Sequence, residues 1–322
     1  MATEAPAVAR PPRAPKRIGF DWRQYVVYIG FVLLFLIFAV TLSDDGFLNQ
    51  TNLLNIARQS AIIAVMAVAM TFVISTAEID LSVGSVAGLA AVCCAMVIES
   101  TGLVAGVLAG LGIGLAVGAI NGALTTVVGI PSFLVTLGML GIAHGAAMWI
   151  SDTAPQPIAN ETYTSIFGGG DVAGIPSLIF WMAIAALVGH VVLRRTPFGR
   201  RVLATGGNEQ AAAYSGVDTK RIKFKVLLVS GVVAAIAGML YAGRFESGRF
   251  EWGQGDELSV IAAAILGGTS LFGGKGSVIG AVTGALLMGL INNGLILMGL
   301  EYSQQQIVRG MIIILAVALV RR

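Results

Sequence analysis

The feature that most constrains the fold is a succession of apolar runs, each close to the ~20 residues that a helix needs to cross a bilayer. Only 11% of the 322 residues are charged, whereas soluble domains carry about 25%. So few charges cannot cover a soluble protein of this size, and the sequence therefore predicts an all-α, polytopic membrane protein. About ten transmembrane helices are expected, near residues 25–42, 53–75, 82–99, 103–128, 131–151, 176–193, 224–243, 257–270, 277–299 and 303–320. The run at 257–270 is short, which indicates a broken or re-entrant helix.

The basic residues indicate how the chain is oriented in the membrane. Residues 1–24 are rich in Pro, Ala and Arg, and we interpret them as a disordered, basic cytoplasmic tail. The first apolar run is long for a signal peptide and lacks a small-residue cleavage site, so it is expected to remain as the first helix. With the N-terminus inside and alternating spans, sixteen Lys and Arg residues lie inside and four outside. This bias predicts cytoplasmic N- and C-termini for a transmembrane domain at 25–322. We interpret the net charge of +3 as topology information and expect no nucleic-acid partner.

A polar stretch at 194–225 interrupts the apolar pattern and holds eight of the twenty Lys and Arg residues. A basic, water-soluble segment must face an aqueous compartment, and its charge places residues 194–223 in a cytoplasmic loop. Within this loop, residues 208–216 predict a short helix, with Asn208 as its N-cap and Gly216 as its stop. A helix of this length is marginal in water on its own. It is therefore expected to dock, either in the groove of a partner or against its own protein.

Two further patterns concern helix packing. Glycines recur every four residues along the fourth span, and they predict a groove for close contact with a neighbouring helix. These glycines are Gly102, Gly106, Gly110, Gly114, Gly118 and Gly122. Asn121 is the polar exception beside this groove. A faint internal repeat links GSVAG at 84–88 to GSVIG at 276–280, and each motif begins a span after a polar interruption. Because transporters are often built from repeats whose broken helices flank the substrate path, both interruptions are candidates for such a path.

Two acids, Glu78 and Asp80, lie closest to apolar sequence on both sides. Acids inside a membrane are costly and usually functional. Two alternatives remain open at this point. In the first, the segment lies hydrated at the cytoplasmic surface. In the second, Asp80 or Ser82 caps the helix that starts near Ser82. No basic residue lies near these acids in the sequence.

Motifs for other chemistries are incomplete. GTSLFGGKGS at 268–277 looks like a phosphate-binding loop, but five residues separate its first Gly from the Gly-Lys pair, where the pattern requires four. Cys93 and Cys94 are adjacent in an apolar run, and no disulfide is expected between them. His144 and His190 are isolated, and no cluster has the spacing of metal ligands. We expect no enzyme site, no metal and no cofactor on this chain.

Six short segments carry a resemblance to a known family. They are IDLSVGS at 79–85, IPSFLVTLG at 130–138, TPFGR at 196–200, GGNEQAA at 206–212, GGTSL at 267–271 and NNGL at 292–295. With these segments in family order, the chain resembles the permease subunits of bacterial ABC importers for monosaccharides, of the ribose/xylose/galactose type. The autoinducer-2 importer permease is a close relative of that type, and branched-chain amino-acid permeases are more distant. The family usually has two glycines before IDLS, where this chain has Ala77 and Glu78.

The resemblance implies a multi-pass protein of the bacterial plasma (inner) membrane that works with several partners. Two copies, or one copy and a homologue, would form the pore in the lipid bilayer. An extracytoplasmic sugar-binding protein would deliver the ligand. A separate cytoplasmic ABC ATPase would hold ATP and Mg, and it would dock on the short helix in the cytoplasmic loop. The residues expected to couple to this ATPase are Asn208, Glu209, Ala211, Ala212 and Gly216.

The substrate itself, a monosaccharide or related polyol, would pass polar or aromatic groups within or beside the apolar spans. The expected pathway residues are Asp80, Ser82, Asn121, Phe133, Thr136 and Asn292. One alternative is a secondary transporter of a small polar solute, driven by protons through Glu78 or Asp80. A membrane enzyme is a third hypothesis, but the sequence contains no catalytic constellation for it.

Overall fold

The computed structural model describes the backbone of residues 26–320, so the predicted tail at 1–24 lies outside the described residues. Within this range, seven helices are long and apolar enough to cross a membrane. Two-residue strands are the only sheet structure between residues 26 and 320. The prediction of an all-α polytopic membrane protein is confirmed.

The structure places helices at all the predicted spans and adds short ones in the connections. The helices are α1 (Val26–Thr41), α2 (Gln50–Ser75), α3 (Val83–Thr101), α4 (Leu103–Ala123), α5 (Ser132–Ile150), α6 (Glu161–Thr164), α7 (Ser177–Arg195), α8 (Pro197–Gly207), α9 (Glu209–Tyr214), α10 (Thr219–Arg244), α11 (Asp256–Leu266), α12 (Val278–Leu297) and α13 (Tyr302–Val320). Single π-helical turns follow α4 (Leu124–Val128) and α6 (Ser165–Gly169). The strands are β1 (Gln156–Pro157), β2 (Asp171–Val172), β3 (Ile175–Pro176) and β4 (Ser247–Gly248).

The centre of the protein consists of α2, α3 and α10, most of whose residues are buried. By contrast, most residues of α4, α5 and α7 are not buried within the chain. These outer helices therefore present apolar surface to lipid or to another subunit. Because α2, α3 and α10 lie at the centre, their polar side chains are inside the protein, where they need hydrogen-bond partners.

The glycine groove of α4 lies against α10 along most of its length. A Cβ atom added at Gly114 would be 2.4 Å from the carbonyl oxygen of Gly231, and one at Gly118 would be 2.8 Å from that of Leu228. Toward the start of α4, a Cβ atom added at Gly106 would be 2.8 Å from the carbonyl oxygen of Cys94 on α3. Cys93 and Cys94 are free thiols. The predicted close helix packing is confirmed, and it brings α10 against both α4 and α3.

The start of α10 differs from the prediction. It begins at Thr219 rather than near residue 224, so the last part of the predicted loop at 194–223 is helical. The physical reason is a local cap, because the Asp218 side chain accepts a hydrogen bond from the amide of Arg221. The first turns of α10 are polar and extend the membrane helix toward water. A search for apolar runs therefore misses them.

Two loops interrupt the helical order beside each other. The Asp80 loop (residues 76–82) joins α2 to α3, and the Gly-rich loop (residues 267–277) joins α11 to α12. The amide of Gly274 donates to the carbonyl of Ser75 at 3.0 Å. The end of α8 covers this junction, since a Cβ atom at Gly206 would be 1.9 Å from the same Ser75 carbonyl oxygen. The two interruptions that the repeated GSV motif predicts are therefore neighbours in the fold.

The expected broken helix is α11, which has 11 residues. It follows an irregular segment, residues 245–255, that lies along α3. Cβ atoms at Gly84 and Gly88 would be 2.2 Å and 2.6 Å from the carbonyl oxygens of Gly253 and Phe250. Irregular backbone at membrane depth is tolerated only where protein buries it, and the glycines of α3 provide this cover. The segment that leads into α11 is therefore packed on the glycines of α3.

Candidate functional site

The side chain of Asp80 is buried, with 1% of its surface exposed. Its Oδ1 accepts hydrogen bonds from the amide of Ser82 at 2.9 Å and from Ser82 Oγ at 2.6 Å. Its Oδ2 accepts a hydrogen bond from Ser230 Oγ at 2.7 Å. Ser230 lies about 16 Å along α10 from its first residue, at 1.5 Å per residue. The alternative that Asp80 is simply hydrated at the surface is therefore wrong.

Helix capping does not explain this geometry either. Ser82 occupies the N-cap position of α3, but its side chain makes no capping hydrogen bond to that helix. Its hydroxyl instead donates to Asp80 and accepts a hydrogen bond from Asn121 Nδ2 at 3.0 Å. Asn121 has 1% of its surface exposed, and its Oδ1 has no partner among the described residues. Ser82 thus links the carboxylate to an amide that retains a free acceptor.

Helix α5 holds the backbone of the Asp80 loop from the other side. The amide of Ile79 donates to Ser132 Oγ at 3.1 Å, and the amide of Leu81 donates to Thr136 Oγ1 at 3.0 Å. Backbone amides buried away from water need such partners, and here two hydroxyls of α5 replace a helical ladder. The loop is therefore fixed by side chains from α4, α5 and α10.

We name the connected group of polar side chains the Asp80 network. Its members are Asp80, Ser82, Asn121, Ser132, Thr136 and Ser230. Four of the six predicted pathway residues belong to it, and two do not. Phe133 is 48% exposed and takes no part in these hydrogen bonds. Asn292 accepts a hydrogen bond from Arg309 Nη2 at 3.1 Å in a different cluster.

Two members of the network were not among the predicted residues. Ser230 lies in the apolar run VLLVSGVV at 226–233, where a single hydroxyl is the only local signal. Ser132 lies in the IPSFLVTLG segment, one position before the predicted Phe133. Helix geometry offers a clue, because Ser132 and Thr136 are four residues apart and share one face of α5.

A second polar cluster lies where α10 ends and α11 begins. The hydroxyl of Tyr241 donates to Asp256 Oδ2 at 2.5 Å. The rings of Tyr241, Phe245 and Trp252 stack on one another, with centroids of the last two 4.6 Å apart. The guanidinium of Arg244 lies 4.9 Å from the centroid of Phe245. The topology expected from the sequence predicts that this cluster faces the outer side of the membrane.

The predicted short helix in the cytoplasmic loop is present as α9. The Asn208 side chain accepts a hydrogen bond from the amide of Ala211 at 2.9 Å, as an N-cap does. Gly216 ends the turn with φ +84°, a conformation that favours glycine. Ala212 is buried against the rest of the chain, whereas Ala211 is exposed. One face of α9 is thus docked on its own protein and the other faces water.

The most prominent group on the free side of α9 is Tyr214, which is 93% exposed. Sequence reasoning assigned the exposed surface to the small alanines and missed this residue. The first residue, Glu209, does not point into water alone, because its Oε2 lies 2.8 Å from Lys223 Nζ on α10. A large exposed aromatic beside small residues is typical of a contact surface.

Comparison with known proteins identifies the family to which the chain belongs. Residues 52–317 match the family described as the branched-chain amino acid transport system / permease component. The chain belongs to this family. It is a multi-pass permease of the bacterial inner membrane, and the expected resemblance to ABC permeases is confirmed.

Relatives named for transport of particular sugars match almost the whole chain. The ribose import permease protein RbsC of Bacillus subtilis is 39% identical over 311 residues, which are 95% of this chain and 96% of the relative. The L-arabinose ABC transporter permease protein AraH of Azospirillum brasilense is 35% identical over 94% of this chain and 90% of its own length. The D-allose transport system permease protein AlsC of Escherichia coli is 35% identical over 96% and 95%, respectively. No solved structure is significantly similar to the chain.

Proposed function

We propose that this permease is the membrane subunit of an ABC importer and forms the translocation pathway for a monosaccharide or related polyol. The observation that carries the proposal is full-length similarity to relatives named for ribose, L-arabinose and D-allose transport. The polar groups inside the protein agree with this substrate class. A neutral, polyhydroxylated solute exchanges hydrogen bonds with water for hydrogen bonds with protein, and unpaired partners cost free energy.

In this proposal the Asp80 network contributes the polar part of the pathway. It joins the carboxylate, the hydroxyls and the Asn121 amide deep between apolar helices. The free Oδ1 of Asn121 accepts a hydrogen bond from a substrate hydroxyl when the neighbouring helices move apart. Phe133 and Asn292 stay predictions for other parts of the route, since neither contacts the network.

The partners follow from the class of transporter. The free face of α9, with Tyr214 at its centre, receives a separate cytoplasmic ATPase that carries ATP and Mg, and this chain binds no cofactor. An extracytoplasmic binding protein meets the outer loops, whose exposed acids include Asp44, Asp45, Asp152, Glu161, Asp171, Glu246 and Glu251. A second permease copy or a homologue completes the pore in the bilayer. Apolar outer faces on α4 and α5 support this last contact.

The decisive experiment measures uptake in bacteria that lack other pentose and hexose transporters. Cells express the permease with its binding protein and with either the active ATPase or an ATPase unable to hydrolyse ATP. Radiolabelled D-ribose, L-arabinose and D-allose are offered in turn, with and without a protonophore. Uptake of one of these sugars that requires active ATPase supports the proposal. Uptake that survives without ATPase activity and stops with the protonophore identifies a proton-driven transporter instead.

Docking of the ATPase on α9 is tested separately with Tyr214→Arg. This change adds bulk and charge on the free face without touching the buried Ala212. We expect the ATPase to stop co-purifying with the permease in detergent while the permease stays folded. Tyr302→Arg is the matched control, because Tyr302 is 68% exposed at the far end of the chain. Equal recovery of the ATPase with both variants contradicts docking at α9.

A further inference from the structure

One lysine connects the helix at the cytoplasmic surface to the loop that carries Asp80. Nζ of Lys223 lies 2.8 Å from Oε1 of Glu78 and 2.8 Å from Oε2 of Glu209. Glu78 belongs to the Asp80 loop, Glu209 is the first residue of α9, and Lys223 is in the second turn of α10. We call these three side chains the clasp. They join three elements that are distant in sequence.

The clasp differs from an ordinary surface ion pair in its burial. The side chains of Lys223 and Glu78 are 16% and 12% exposed, and that of Glu209 is 48% exposed. On the same helix, Arg221 and Asp218 are 3.8 Å apart with 73% and 62% exposure. Exposed pairs of the second kind contribute about 0–1 kcal/mol. Breaking a shielded pair leaves a charge without a partner and costs more.

The arrangement of charges makes Lys223 the central member. It is one cation between two carboxylates, so either acid can be lost while the lysine keeps one partner. Loss of the lysine removes both attractions and leaves Glu78 and Glu209 to repel each other. Lys223 is therefore the one side chain that takes part in both ion pairs of the clasp.

The clasp continues directly into the Asp80 network. Glu78 is two residues before Asp80 in the same loop. Lys223 and Ser230 are seven residues apart on α10, so they lie on one face of that helix. Ser230 in turn donates to the carboxylate of Asp80. The loop is thus tied to α10 at two levels, by an ion pair near the cytoplasm and by a hydrogen bond deeper in the membrane.

We propose that the clasp transmits movement between α9 and the Asp80 loop, so that Lys223 is a positioning residue for coupled transport. The inference rests on the proposed function, in which α9 receives the ATPase. While the clasp is closed, a displacement of α9 carries Glu209, Lys223 and Glu78 with it. The Asp80 network is then displaced as part of the same unit. When the clasp is open, α9 moves without the loop.

The test reconstitutes the permease with its ATPase and binding protein in proteoliposomes, with the sugar identified by the uptake experiment. The measured quantity is the amount of sugar imported per ATP hydrolysed. For Lys223→Met, we expect ATP hydrolysis to continue while this ratio falls by on the order of 5-fold or more, the range of site-to-site coupling. Lys223→Arg retains a cation of similar reach and should keep most of the ratio. Arg221→Met, from the exposed pair on α10, is the matched control and should match the wild type.

A second variant guards against failure of Lys223→Met to fold. Glu78→Ala leaves the pair between Lys223 and Glu209 intact and removes only the link to the Asp80 loop. It should also lower the ratio while the ATPase stays bound. If either variant assembles with its ATPase and imports as much sugar per ATP as Arg221→Met does, the clasp does not transmit movement.

The proposal and the docking of the ATPase fail in different ways. Tyr214→Arg disturbs the free face of α9 and leaves the clasp untouched, so its readout is co-purification of the ATPase. Lys223→Met alters the clasp and leaves the free face unchanged, so its readout is the transport ratio. An unchanged ratio with a bound ATPase overturns the clasp alone.

Discussion

The Asp80 loop and the Gly-rich loop occupy matching places in the fold but are built in opposite ways. Each follows a helix and precedes another helix whose start carries a GSV motif. The Asp80 loop is held by side chains, through its buried carboxylate and the hydroxyls of α5 and α10. The Gly-rich loop is packed mainly through its backbone, since a Cβ atom at Gly280 would be 1.9 Å from the carbonyl oxygen of Gly267. Arg194 Nη2 also donates to the carbonyl of Gly276 at 3.2 Å. An interrupted helix therefore does not by itself indicate a substrate path.

The difference predicts how each loop responds to substitution. A loop packed through glycine tolerates no added atoms, so its variants should lose the fold. A loop fixed by polar side chains tolerates changes of similar shape, so its variants should lose transport first. The following substitutions test this contrast.

The largest effect is expected for Gly280→Val. The new side chain would collide with the backbone of Gly267, and neither helix end has room to move, so destabilisation of about 3 kcal/mol or more is expected. Yield and melting temperature in detergent, followed by gel filtration, measure it. Gly138→Val is the control, because no atom lies within 4 Å of a Cβ added at Gly138 on α5. Similar yields for both variants would show that the Gly-rich loop is not packed through its backbone.

The next effect is expected for Asp80→Ala, in the other loop. It removes the acceptor of three hydrogen bonds, so the amide and hydroxyl of Ser82 and the hydroxyl of Ser230 lose the group to which they donate. A buried donor without an acceptor costs about 1–3 kcal/mol. Sugar uptake should fall about tenfold or more, since 1.4 kcal/mol corresponds to a factor of ten. Lys275→Ala in the Gly-rich loop is the control, because Lys275 is exposed and makes no side-chain ion pair among the described residues. Loss of uptake in both variants would remove the contrast between the loops.

A smaller and more selective effect is expected for Asn121→Leu. The change removes the hydrogen bond to Ser82 but also removes an acceptor that has no partner, so the two effects on stability largely offset each other. Uptake should fall severalfold while the melting temperature changes little. Asn121→Asp is the companion variant, because it keeps the shape and adds a charge beside Asp80. Unchanged uptake for Asn121→Leu would exclude Asn121 from the pathway.

The fold and the polar network differ in how far the sequence predicts them. Helix α9 follows from local rules, since Asn208 and Gly216 act within a few residues of each other. The apolar runs locate the membrane helices for the same reason. The partners of Asp80 and Glu78 do not follow from local rules. Ser230 is 150 residues away from Asp80 in sequence, and the packing of α10 against α2, α3 and α4 brings them together.

The burial of single residues within one helix is equally hard to predict from the sequence. Thr136 and Phe133 belong to one helix and one sequence segment, yet Thr136 is buried and Phe133 is 48% exposed. Composition marks both as unusual in an apolar span but does not indicate which face of α5 meets the Asp80 loop. The predicted start of α11 near residue 257 agrees with Asp256, but the packing of the segment before it was not predicted, for a related reason. Its irregular approach is buried by Gly84 and Gly88, whose role depends on a segment far along the chain.

The smallest effect, and one of opposite sign, is expected at the entrance to the Asp80 loop. Ala77 has φ +62°, a left-handed conformation that costs a residue with a Cβ roughly 1–2 kcal/mol. The monosaccharide-importer permeases that the chain resembles usually have glycine at this position. Ala77→Gly relieves this strain but gives the unfolded chain more freedom, so a net stabilisation of about 0.5 kcal/mol is expected. A higher melting temperature in detergent would measure it.

Ala213→Gly is the matched control for the predicted rise in melting temperature. Ala213 is exposed within α9, where glycine disfavours the helix by about 1 kcal/mol, and its melting temperature should fall or stay unchanged. If Ala77→Gly also lowers the melting temperature, the positive φ is not a source of strain. The backbone of the Asp80 loop would then be set by Ser132, Thr136 and Lys223 so firmly that the residue at position 77 contributes nothing to it.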